Sequence, residues 1–319
     1  MKLRAAAVVM IVLSSLAARA EDLVRLGNLK FAHYGAVSYM KELAPKYGLK
    51  IDEHVFAKGI DIVPAILSGD IDLAASAVDA AISARAAGAP VYIVAGFAKG
   101  GARLVGKSGA GLGSVAQLKG KKVGVPRGGA QEILLFAELA QAGLSWSVEG
   151  DKDVKIVYLA YADLNQALQA GHIDAMSQSE PQSSQAIAAG FGTEIKKPYD
   201  TPMGEPSRAL LMTEALYNKP DVARRVLECF VAATRAFLAD PKLAESFVRE
   251  KMFKGQLSHE DYAASLANAA FTTDITKEHV QITGDLMVKY GVGKLPKAPD
   301  AAAFVKTDLL EKAKAAAGK

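Results

Sequence analysis

Cysteine is almost absent from this sequence of 319 residues, and because Cys229 stands alone no intramolecular disulfide can form. It falls among apolar residues in a helical pattern, which predicts a packed core residue rather than a nucleophile. The five histidines lack the i, i+4 spacing of a helical zinc site, and no GxSxG motif occurs. We therefore expect no metal, no cofactor and no enzyme activity.

Long apolar runs are missing as well, since no segment has the roughly 20 consecutive apolar residues that cross a bilayer. A shorter apolar stretch over residues 5–16 follows two basic residues and ends in Ala18-Arg19-Ala20. This order is typical of a cleaved export signal. We expect cleavage near Ala20 and a periplasmic protein. The alternative, a buried first helix, lacks a charged face to turn to water.

Neither sign of charge dominates, because 38 Lys and Arg oppose 34 Asp and Glu for a net charge of +4. Lys2, Arg4 and Arg19 belong to the predicted export signal. A protein that binds nucleic acid concentrates basic residues on one face, and the sequence has no such cluster. We expect no nucleic-acid partner.

An internal repeat indicates the architecture. Residues 56–74, FAKGIDIVPAILSGDIDLA, align without gaps on residues 158–176, YLAYADLNQALQAGHIDAM. Both copies predict a strand end, an Asp N-cap, a helix of about two turns, a Gly C-cap and an Ile-Asp pair that opens a strand. A β-α-β unit is therefore used twice. The identical positions are Asp61 and Asp163, Ala65 and Ala167, Gly69 and Gly171, Ile71 and Ile173, and Asp72 and Asp174.

Strand and helix patterns alternate around both copies. This alternation predicts an α/β fold of two lobes, each with a parallel-rich sheet between helices. Predicted strands lie near residues 24–29, 50–56, 73–77, 91–97, 122–126, 154–159, 175–179 and 194–198. Predicted helices lie near residues 35–47, 62–68, 78–87, 130–142, 164–170 and 181–189.

The last third of the chain has a different pattern, with one apolar run at residues 208–213 and then mainly helices. We expect this tail to pack back onto the first lobe. The first lobe would then comprise residues 21–104 and 206–319, and the second lobe residues 105–205. The two crossings, near residues 103–106 and 203–208, contain Gly or Pro and are candidate hinges. The predicted tail helices lie near residues 223–239, 242–252, 259–269 and 277–290.

The segments SGDIDLA, LKGKKVGVPRGG and LQAGHIDAM resemble the periplasmic binding proteins of ABC importers for sulfonates, taurine, nitrate and thiamine pyrimidine precursors. The resemblance covers roughly residues 24–191. It implies a type II periplasmic-binding-protein fold, a small-molecule ligand, an ATP-driven permease in the inner membrane as partner, and no cofactor. We expect the protein to be monomeric.

Ligand-binding candidates follow from the predicted sheets, because the crevice of an open parallel sheet lies beyond the carboxyl ends of its strands. Aromatic rings there can stack on a flat ligand; the alternative is packing within the lobe. Asp79 is better explained as a cap of the next helix. The first-lobe candidates are Phe31, His33, Tyr34, Ser76, Ala77 and Phe97.

The second lobe contributes a Gly pair before a helix, which lets the backbone approach a ligand closely. Arg127 beside it can clamp a carboxylate or sulfonate, or it is solvated. Proteins of the resembled family often carry small hydroxyl residues at this position, so Arg127 is a departure. Glu180 can bind a cationic or hydroxyl group, or it only complements a helix dipole. The second-lobe candidates are Arg127, Gly128, Gly129, Gln131, Gln178, Ser179 and Glu180.

The donors in these loops predict a small organic anion, a sulfonate or carboxylate, captured by hinge closure. A pyrimidine-like precursor is the alternative ligand, and a sensor that contacts a receptor kinase is the alternative role. Arg103 and Arg208, at the two crossings, are expected to pair with acids across the hinge rather than to bind the ligand.

Overall fold

The computed structural model describes residues 21–317 of the chain, so the predicted export signal over residues 1–20 lies outside the described part. Within residues 21–317, no helix is both long and apolar enough to cross a membrane. These residues form two halves, each built around its own six-stranded sheet.

The first half alternates strands and helices. The inner strands bury most of their side chains, whereas in the edge strand β2 every residue except Leu49 is at least partly exposed. The strands are β1 (Asp22–Leu29), β2 (Leu49–Phe56), β3 (Leu73–Ala77) and β4 (Val91–Gly100). The α-helices are α1 (Gly35–Leu43), α2 (Ile62–Leu67) and α3 (Val78–Ala86), and 3-10 turns lie at Ala32–Tyr34, Ala44–Tyr47 and Gly59–Asp61.

The second half repeats the alternation. The sequence predicted its elements except β5 and the short β7. The strands are β5 (Ala102–Lys107), β6 (Lys122–Val125), β7 (Trp146–Ser147), β8 (Val154–Tyr158), β9 (Ala175–Ser179) and β10 (Gly192–Lys196). The α-helices are α4 (Ala130–Gln141), α5 (Tyr161–Ala170) and α6 (Gln182–Ala188), with a 3-10 turn at Val115–Leu118.

The tail is mainly helical, as predicted, but it also adds two strands. These are β11 (Ser207–Thr213) and β12 (Ala269–Phe271), of which β12 was not predicted. The α-helices are α7 (Glu214–Tyr217), α8 (Pro220–Ala239), α9 (Pro241–Ser246), α10 (His259–Leu266), α11 (Lys277–Tyr290), α12 (Ala301–Phe304) and α13 (Asp308–Ala317). A π-helical turn, Phe247–Met252, follows α9, and a 3-10 turn lies at Val292–Lys294.

The sheets are mixed rather than purely parallel. Their strand orders are β12-β4-β11-β3-β1-β2 and β10-β5-β9-β6-β8-β7. The β-α-β strands pair in parallel, as predicted, but β11 pairs antiparallel with β3 and β4, and β5 pairs antiparallel with β9 and β10. The expectation of parallel sheets fails for β5, β11 and β12. Strands β5 and β11 enter their sheets from the other half without a crossover helix, and β12 pairs antiparallel with β4.

The predicted two-lobed α/β architecture is confirmed. We call the half that carries β1 to β4, β11 and β12 the first lobe, and the half that carries β5 to β10 the second lobe. The division at residues 104 and 205 that the sequence suggested remains a prediction.

The chain passes between the lobes at two adjacent points. Gly100 and Gly101, each with φ of +80°, separate β4 from β5, and the amide of Gly100 donates to the carbonyl of Pro206 at 2.9 Å. A Cβ atom on Gly100 would lie 2.3 Å from the carbonyl oxygen of Asn268, so only glycine fits there. The expectation of a hinge at residues 103–106 is wrong, because these residues lie inside β5.

The helices of the repeated unit are capped only partly as the sequence predicted. The glycines do end the helices, with φ of +79° at Gly69 and +77° at Gly171. The prediction of Asp N-caps is wrong: Asp61 makes no capping bond, and the N-cap of α5 is an alanine. The second repeated acid has the structural role instead.

Both copies of that acid bind the neighbouring parallel strand. The Asp72 carboxylate accepts the backbone N–H of Arg25 at 3.0 Å, and the Asp174 carboxylate accepts that of Lys122 at 2.8 Å. Asp72 also accepts two bonds from the Arg25 guanidinium, at 2.8 and 2.6 Å. The repeated acids therefore fix the start of the strand next to them.

The tail packs onto the first lobe, as predicted. Helix α8 lies against α1 and α13, and the Arg225 guanidinium donates to the carbonyls of Tyr47 and Gly48 at 2.9 Å. Cys229 is buried in this contact, and its thiol donates to the carbonyl of Met40. Burial raises the pKa of this thiol to about 12, so it stays protonated as a core residue.

Candidate functional site

A partly open cavity of ≈ 40 Å³ lies between the lobes, at the carboxyl ends of their parallel strands. One water molecule needs about 10–15 Å³, so the space suits a small polar group or a few water molecules. We call it the cleft cavity. The predicted residues that line it are Phe31, His33, Tyr34, Ala77, Arg127, Gly128, Gly129, Gln131 and Ser179, and the structure adds Asp79, Tyr161 and Arg208.

Arg208 is the buried cation of the cleft cavity. It stands near the start of β11, is 3 % exposed, and its Nη1 has no hydrogen-bond partner among residues 21–317. A buried charge costs several kcal/mol unless it is paired. The expectation that Arg208 pairs with an acid across the hinge is wrong, since its side chain turns into the cavity instead.

Asp79 brings a carboxylate to the same cavity from the first turn of α3. It reaches across to the start of α4, where a Cβ atom on Gly129 would lie 3.7 Å from Oδ2, and Oδ1 has no partner within the described residues. Burial raises the pKa of Asp79 to about 6, although the charge of Arg208 and the N–H groups of Asp79 and Ala130 act in the opposite direction. The sequence interpretation of Asp79 as a helix cap therefore misses its interlobe position.

Aromatic rings form one wall of the cavity. The Phe31 and His33 rings stack with centroids 5.8 Å apart, and Tyr34 lies 5.0 Å from His33. Tyr161 of the second lobe meets the edge of Phe31 at 5.6 Å. Burial, reinforced by the charge of Arg208, lowers the pKa of His33 well below 6.5. His33 is therefore neutral, and both of its ring nitrogens are free to bind a ligand.

The second lobe contributes neutral polar groups. The Gln131 side-chain nitrogen has no hydrogen-bond partner among the described residues, while its side-chain carbonyl accepts from the Tyr161 hydroxyl at 2.5 Å. Gly128 has a φ of +85°, and its amide donates to the Glu132 carboxylate at 2.5 Å. Ser179 lines the cavity, but its hydroxyl donates to the carbonyl of Gly101 at 3.1 Å.

The helices that begin near the cleft have no side-chain caps. This holds for α3, α4 and α5, whose N-cap residues are Ala77, Gly129 and Ala160. The first N–H groups of a helix need partners and carry partial positive charge. In the tail, by contrast, side-chain oxygens cap five helices: Thr213, Asp240, Ser258, Thr276 and Asp300.

Arg127 lies at the rim rather than in the interior. Its guanidinium stacks on the Tyr158 ring at 4.0 Å and its side chain is exposed. It also borders two larger surface grooves, of ≈ 770 and ≈ 480 Å³, that flank the cleft cavity. The surroundings of Arg127 therefore fit a solvated side chain better than a buried side chain that clamps an anion.

Two first-lobe candidates do not line the cavity. Phe97 is fully buried and packs edge-on against Tyr34 at 4.7 Å, so it belongs to the core. Ser76 lies behind Gly59, where a Cβ atom would fall 2.0 Å from the serine Oγ. The Ser76 hydroxyl has no hydrogen-bond partner among residues 21–317.

Two second-lobe candidates have protein partners instead. The Gln178 amide donates to the carbonyl of Tyr161 at 3.0 Å. Glu180 is fully buried and forms an ion pair with Arg103 at 2.8 Å. Arg103 also pairs with Glu194 at 2.9 Å, so its predicted pairing with acids is present, but within the second lobe. The polar groups of Gln178 and Glu180 therefore have protein partners in this structure.

Sequence reasoning did not place Arg208 in the lining of the cleft cavity. The signal that could have found it is an arginine inside the otherwise apolar strand segment SRALLMT, all of which is buried. Among residues 21–317, no group of three or more His, Cys, Asp or Glu side chains is arranged to hold a metal ion. The site offers hydrogen bonds, one buried cation, one buried carboxylate and aromatic faces, which are the groups that a binding site needs.

Comparison with known proteins agrees with this description. The model of the NMT1-like family matches residues 23–249. A protein of Escherichia coli (strain K12) named as an aliphatic sulfonates-binding protein is 33% identical over 150 residues, which are 46% of this chain and 45% of that protein. The chain thus spans less than half the length of that relative.

A protein of Brachyspira hyodysenteriae named as an ABC transporter periplasmic binding protein is 25% identical over 243 residues, covering 69% of this chain and 67% of that one. Among solved structures, the alkanesulfonate-binding protein of Xanthomonas axonopodis pv. citri, bound to MOPS, superposes with a TM-score of 0.74 at 22% identity over 90% of this chain and 99% of that one. The fold is that of the periplasmic binding proteins, and the homologues are binding proteins rather than enzymes.

Proposed function

The chain belongs to the NMT1-like family, and from this premise we propose that it is the substrate-binding component of an ABC importer. In this role the protein is exported to the periplasm, takes up a small organic anion in the cleft cavity and delivers it to a permease of the inner membrane. Both named relatives support the proposal, since one is named for sulfonates and the other for an ABC transporter.

The observation that carries the ligand class is the unpaired Arg208. Its guanidinium faces the cleft cavity with a free Nη1 and is almost wholly removed from water. A guanidinium offers planar paired donors that match a carboxylate or a sulfonate. An anionic ligand group would supply the missing charge, and the neutral His33 and Gln131 would donate further hydrogen bonds.

Closure of the lobes is the proposed mechanism. The cleft cavity is lined from both sides, and the connection at Gly100 and Gly101 is short and conformationally permissive. A ligand held by Arg208 in the first lobe and by the start of α4 in the second lobe stabilises the closed form. The permease then recognises the closed form, because the ligand shifts the population towards it.

The aromatic wall favours a second candidate ligand, a pyrimidine-like ring. Phe31, His33, Tyr34 and Tyr161 surround the cavity, and such rings can stack on a flat ligand. A stacked ring would leave the charge of Arg208 unpaired, so we place this candidate second.

A ligand panel tests the proposal. Purified protein is unfolded, dialysed to remove bound cargo and refolded, and its melting temperature is then measured with short alkyl sulfonates, carboxylates, nitrate and aminopyrimidines. We expect a sulfonate or carboxylate to raise the melting temperature, and Arg208→Gln to remove that rise. The matched control is Arg127→Gln at the rim, which should retain most of it.

The contrary outcome is equally clear. If aminopyrimidines alone stabilise the protein, and Arg208→Gln leaves that effect unchanged, the anion proposal is wrong and the second candidate replaces it. Export is tested separately: release of the full-length chain by osmotic shock of a Gram-negative host supports a periplasmic location, and retention in the cytoplasm contradicts it.

A further inference from the structure

The cleft cavity contains two opposite charges that do not pair with each other. Arg208 and Asp79 both line it, both are buried, and each keeps one polar atom, Nη1 and Oδ1, without a partner among residues 21–317. The charge of Arg208 still acts on the Asp79 carboxyl, so the two groups lie near each other. A buried carboxylate and a buried guanidinium that line one cavity without contacting each other make one side of the cavity negative and the other side positive.

A ligand with one anionic group satisfies only half of this arrangement. An anion at Arg208 would leave the buried Asp79 carboxylate close to a second negative charge, which is unfavourable. We propose that the ligand is a zwitterion, with an acid group for Arg208 and a protonated amine for Asp79. This inference rests on the proposed function and narrows its ligand class.

The other neighbours of Asp79 do not supply the missing donor. Its Oδ2 faces the start of α4, whereas Oδ1 has no partner among residues 21–317. Glu132 is engaged by the amide of Gly128 and the hydroxyl of Tyr158, and the Tyr161 hydroxyl donates to Gln131. The other ionisable groups that line the cavity are His33, which is neutral, Tyr34, whose pKa burial raises, and the exposed cations Lys58 and Arg127.

Isosteric ligand pairs test the inference. Isothermal titration calorimetry at pH 7.5 compares 3-aminopropane-1-sulfonate with butane-1-sulfonate, and 4-aminobutanoate with pentanoate, on protein stripped of cargo. In each pair an ammonium replaces a methyl group of similar size. We expect the wild type to bind the amine of at least one pair at least about tenfold more tightly, as a charged hydrogen bond implies.

Asp79→Asn should remove this preference and leave the plain anion bound as tightly as before or more so. Glu132→Gln is the matched control, because it neutralises another buried acid beside the same helix start without changing the cavity lining. It should keep the preference for the amine. A preference that survives in Asp79→Asn contradicts the inference.

A pH series on the wild type decides the question even if Asp79→Asn fails to fold. Burial raises the pKa of Asp79 to about 6, so affinity for the aminosulfonate should fall as the pH drops from 7.5 to 5. Affinity for butane-1-sulfonate should stay level or rise over the same range. Over this range the sulfonate of the ligand stays ionised, its amine stays protonated, and His33 stays neutral.

The outcomes separate this inference from the proposed function. If the plain anions bind as tightly as their amine partners at every pH, the zwitterion inference is overturned and the anion-binding role of Arg208 stands. If no member of either pair binds, the anion class itself falls, and the zwitterion inference falls with it.

Discussion

The two lobes share a framework but differ in what they bring to the cleft. Each has an acid that holds the neighbouring strand, Asp72 in the first lobe and Asp174 in the second. Each also has a strand glycine without room for a side chain: a Cβ atom would lie 2.9 Å from Ile62 at Gly27, and 2.5 Å from Ile173 at Gly124. The duplicated features therefore serve the scaffold.

The charges of the cavity interior are not duplicated. Arg208 and Asp79 both belong to the first lobe, whereas the second lobe offers Gln131, Tyr161 and the uncapped start of α4. This difference indicates that the first lobe supplies the charges for ligand recognition and the second lobe supplies the neutral groups that cover the ligand. A ligand would dock on the first lobe by its charges, and the second lobe would close over it with neutral donors.

The largest expected effect on ligand affinity comes from removing the buried cation of the first lobe. Arg208→Gln should weaken binding of the tightest anionic ligand by about 3 kcal/mol or more, because a lost partner leaves the ligand's charge unpaired. Gln131→Ala in the second lobe should cost only about 1 kcal/mol, as for a neutral hydrogen bond. Calorimetric titration of both variants measures the difference. Equal losses would mean that charge does not distinguish the lobes.

Asp79→Asn should stabilise the ligand-free protein by about 1–3 kcal/mol at pH 7.5, because burial disfavours the charged carboxylate. The folded protein raises the pKa of Asp79 to about 6, so this carboxyl supports folding at low pH and opposes it as the pH rises through that value. Urea unfolding at pH 7.5 and at pH 4 measures the gain, which should vanish at the lower pH. A loss of stability at pH 7.5 would show that the carboxylate holds the lobes together.

The shared framework can be tested with the repeated acids. Asp72→Asn should lower the free energy of unfolding by about 1–2 kcal/mol and Asp174→Asn by less, since a charged hydrogen bond contributes about that much and only Asp72 also holds a guanidinium. Urea unfolding of both variants, with ligand affinity as the control, checks the order. Unequal effects on affinity would show that the repeat does more than support the strands.

The Asp72 contribution also depends on pH. Although burial acts to raise the pKa of Asp72, the hydrogen bonds from Arg25 prevail and lower it. The stabilisation is therefore present at neutral pH and is lost as the pH falls below about 4, the ordinary range of an aspartate. The deficit of Asp72→Asn should shrink over that range in acid unfolding experiments.

The smallest effect concerns the rim. Arg127→Ala should weaken ligand binding by less than about 1 kcal/mol, because an exposed cation on an aromatic ring contributes about that much. Its guanidinium stacks on Tyr158 at the rim of the cleft cavity and not in the interior. A hundredfold loss of affinity would instead restore Arg127 as the anion clamp that the sequence suggested.

The sequence was sufficient for the local architecture. Strands β3 and β9 and helix α11 have the predicted ends, because apolar runs and caps are local signals. Strands β5 and β12 were not predicted. Strand β5 contains an arginine and two small residues, and strand β12 has only three residues, Ala-Ala-Phe. Both are strands only because a sheet edge is there to pair with.

The site was harder to predict than the fold. Phe31, His33, Gly128 and Gln131 could be placed because loop tips follow strand ends. The surroundings of Arg208, Glu180 and Arg127 could not be predicted, because a charged side chain near a strand end gives the same sequence pattern whether it faces a cavity, an ion pair or solvent. Which of these it faces depends on the packing of both lobes.

The hydrogen bond between Gly100 and Pro206 shows that the second lobe is an insertion with touching ends. Strands β4 and β11 are antiparallel neighbours, with Lys99 opposite Ser207, so a short hairpin turn could replace everything between them. The first lobe could then be made as a separate small protein that retains Arg208 and Asp79. The ligand affinity of such a half-molecule would show how much of the binding free energy comes from the first lobe alone, without closure of the second lobe.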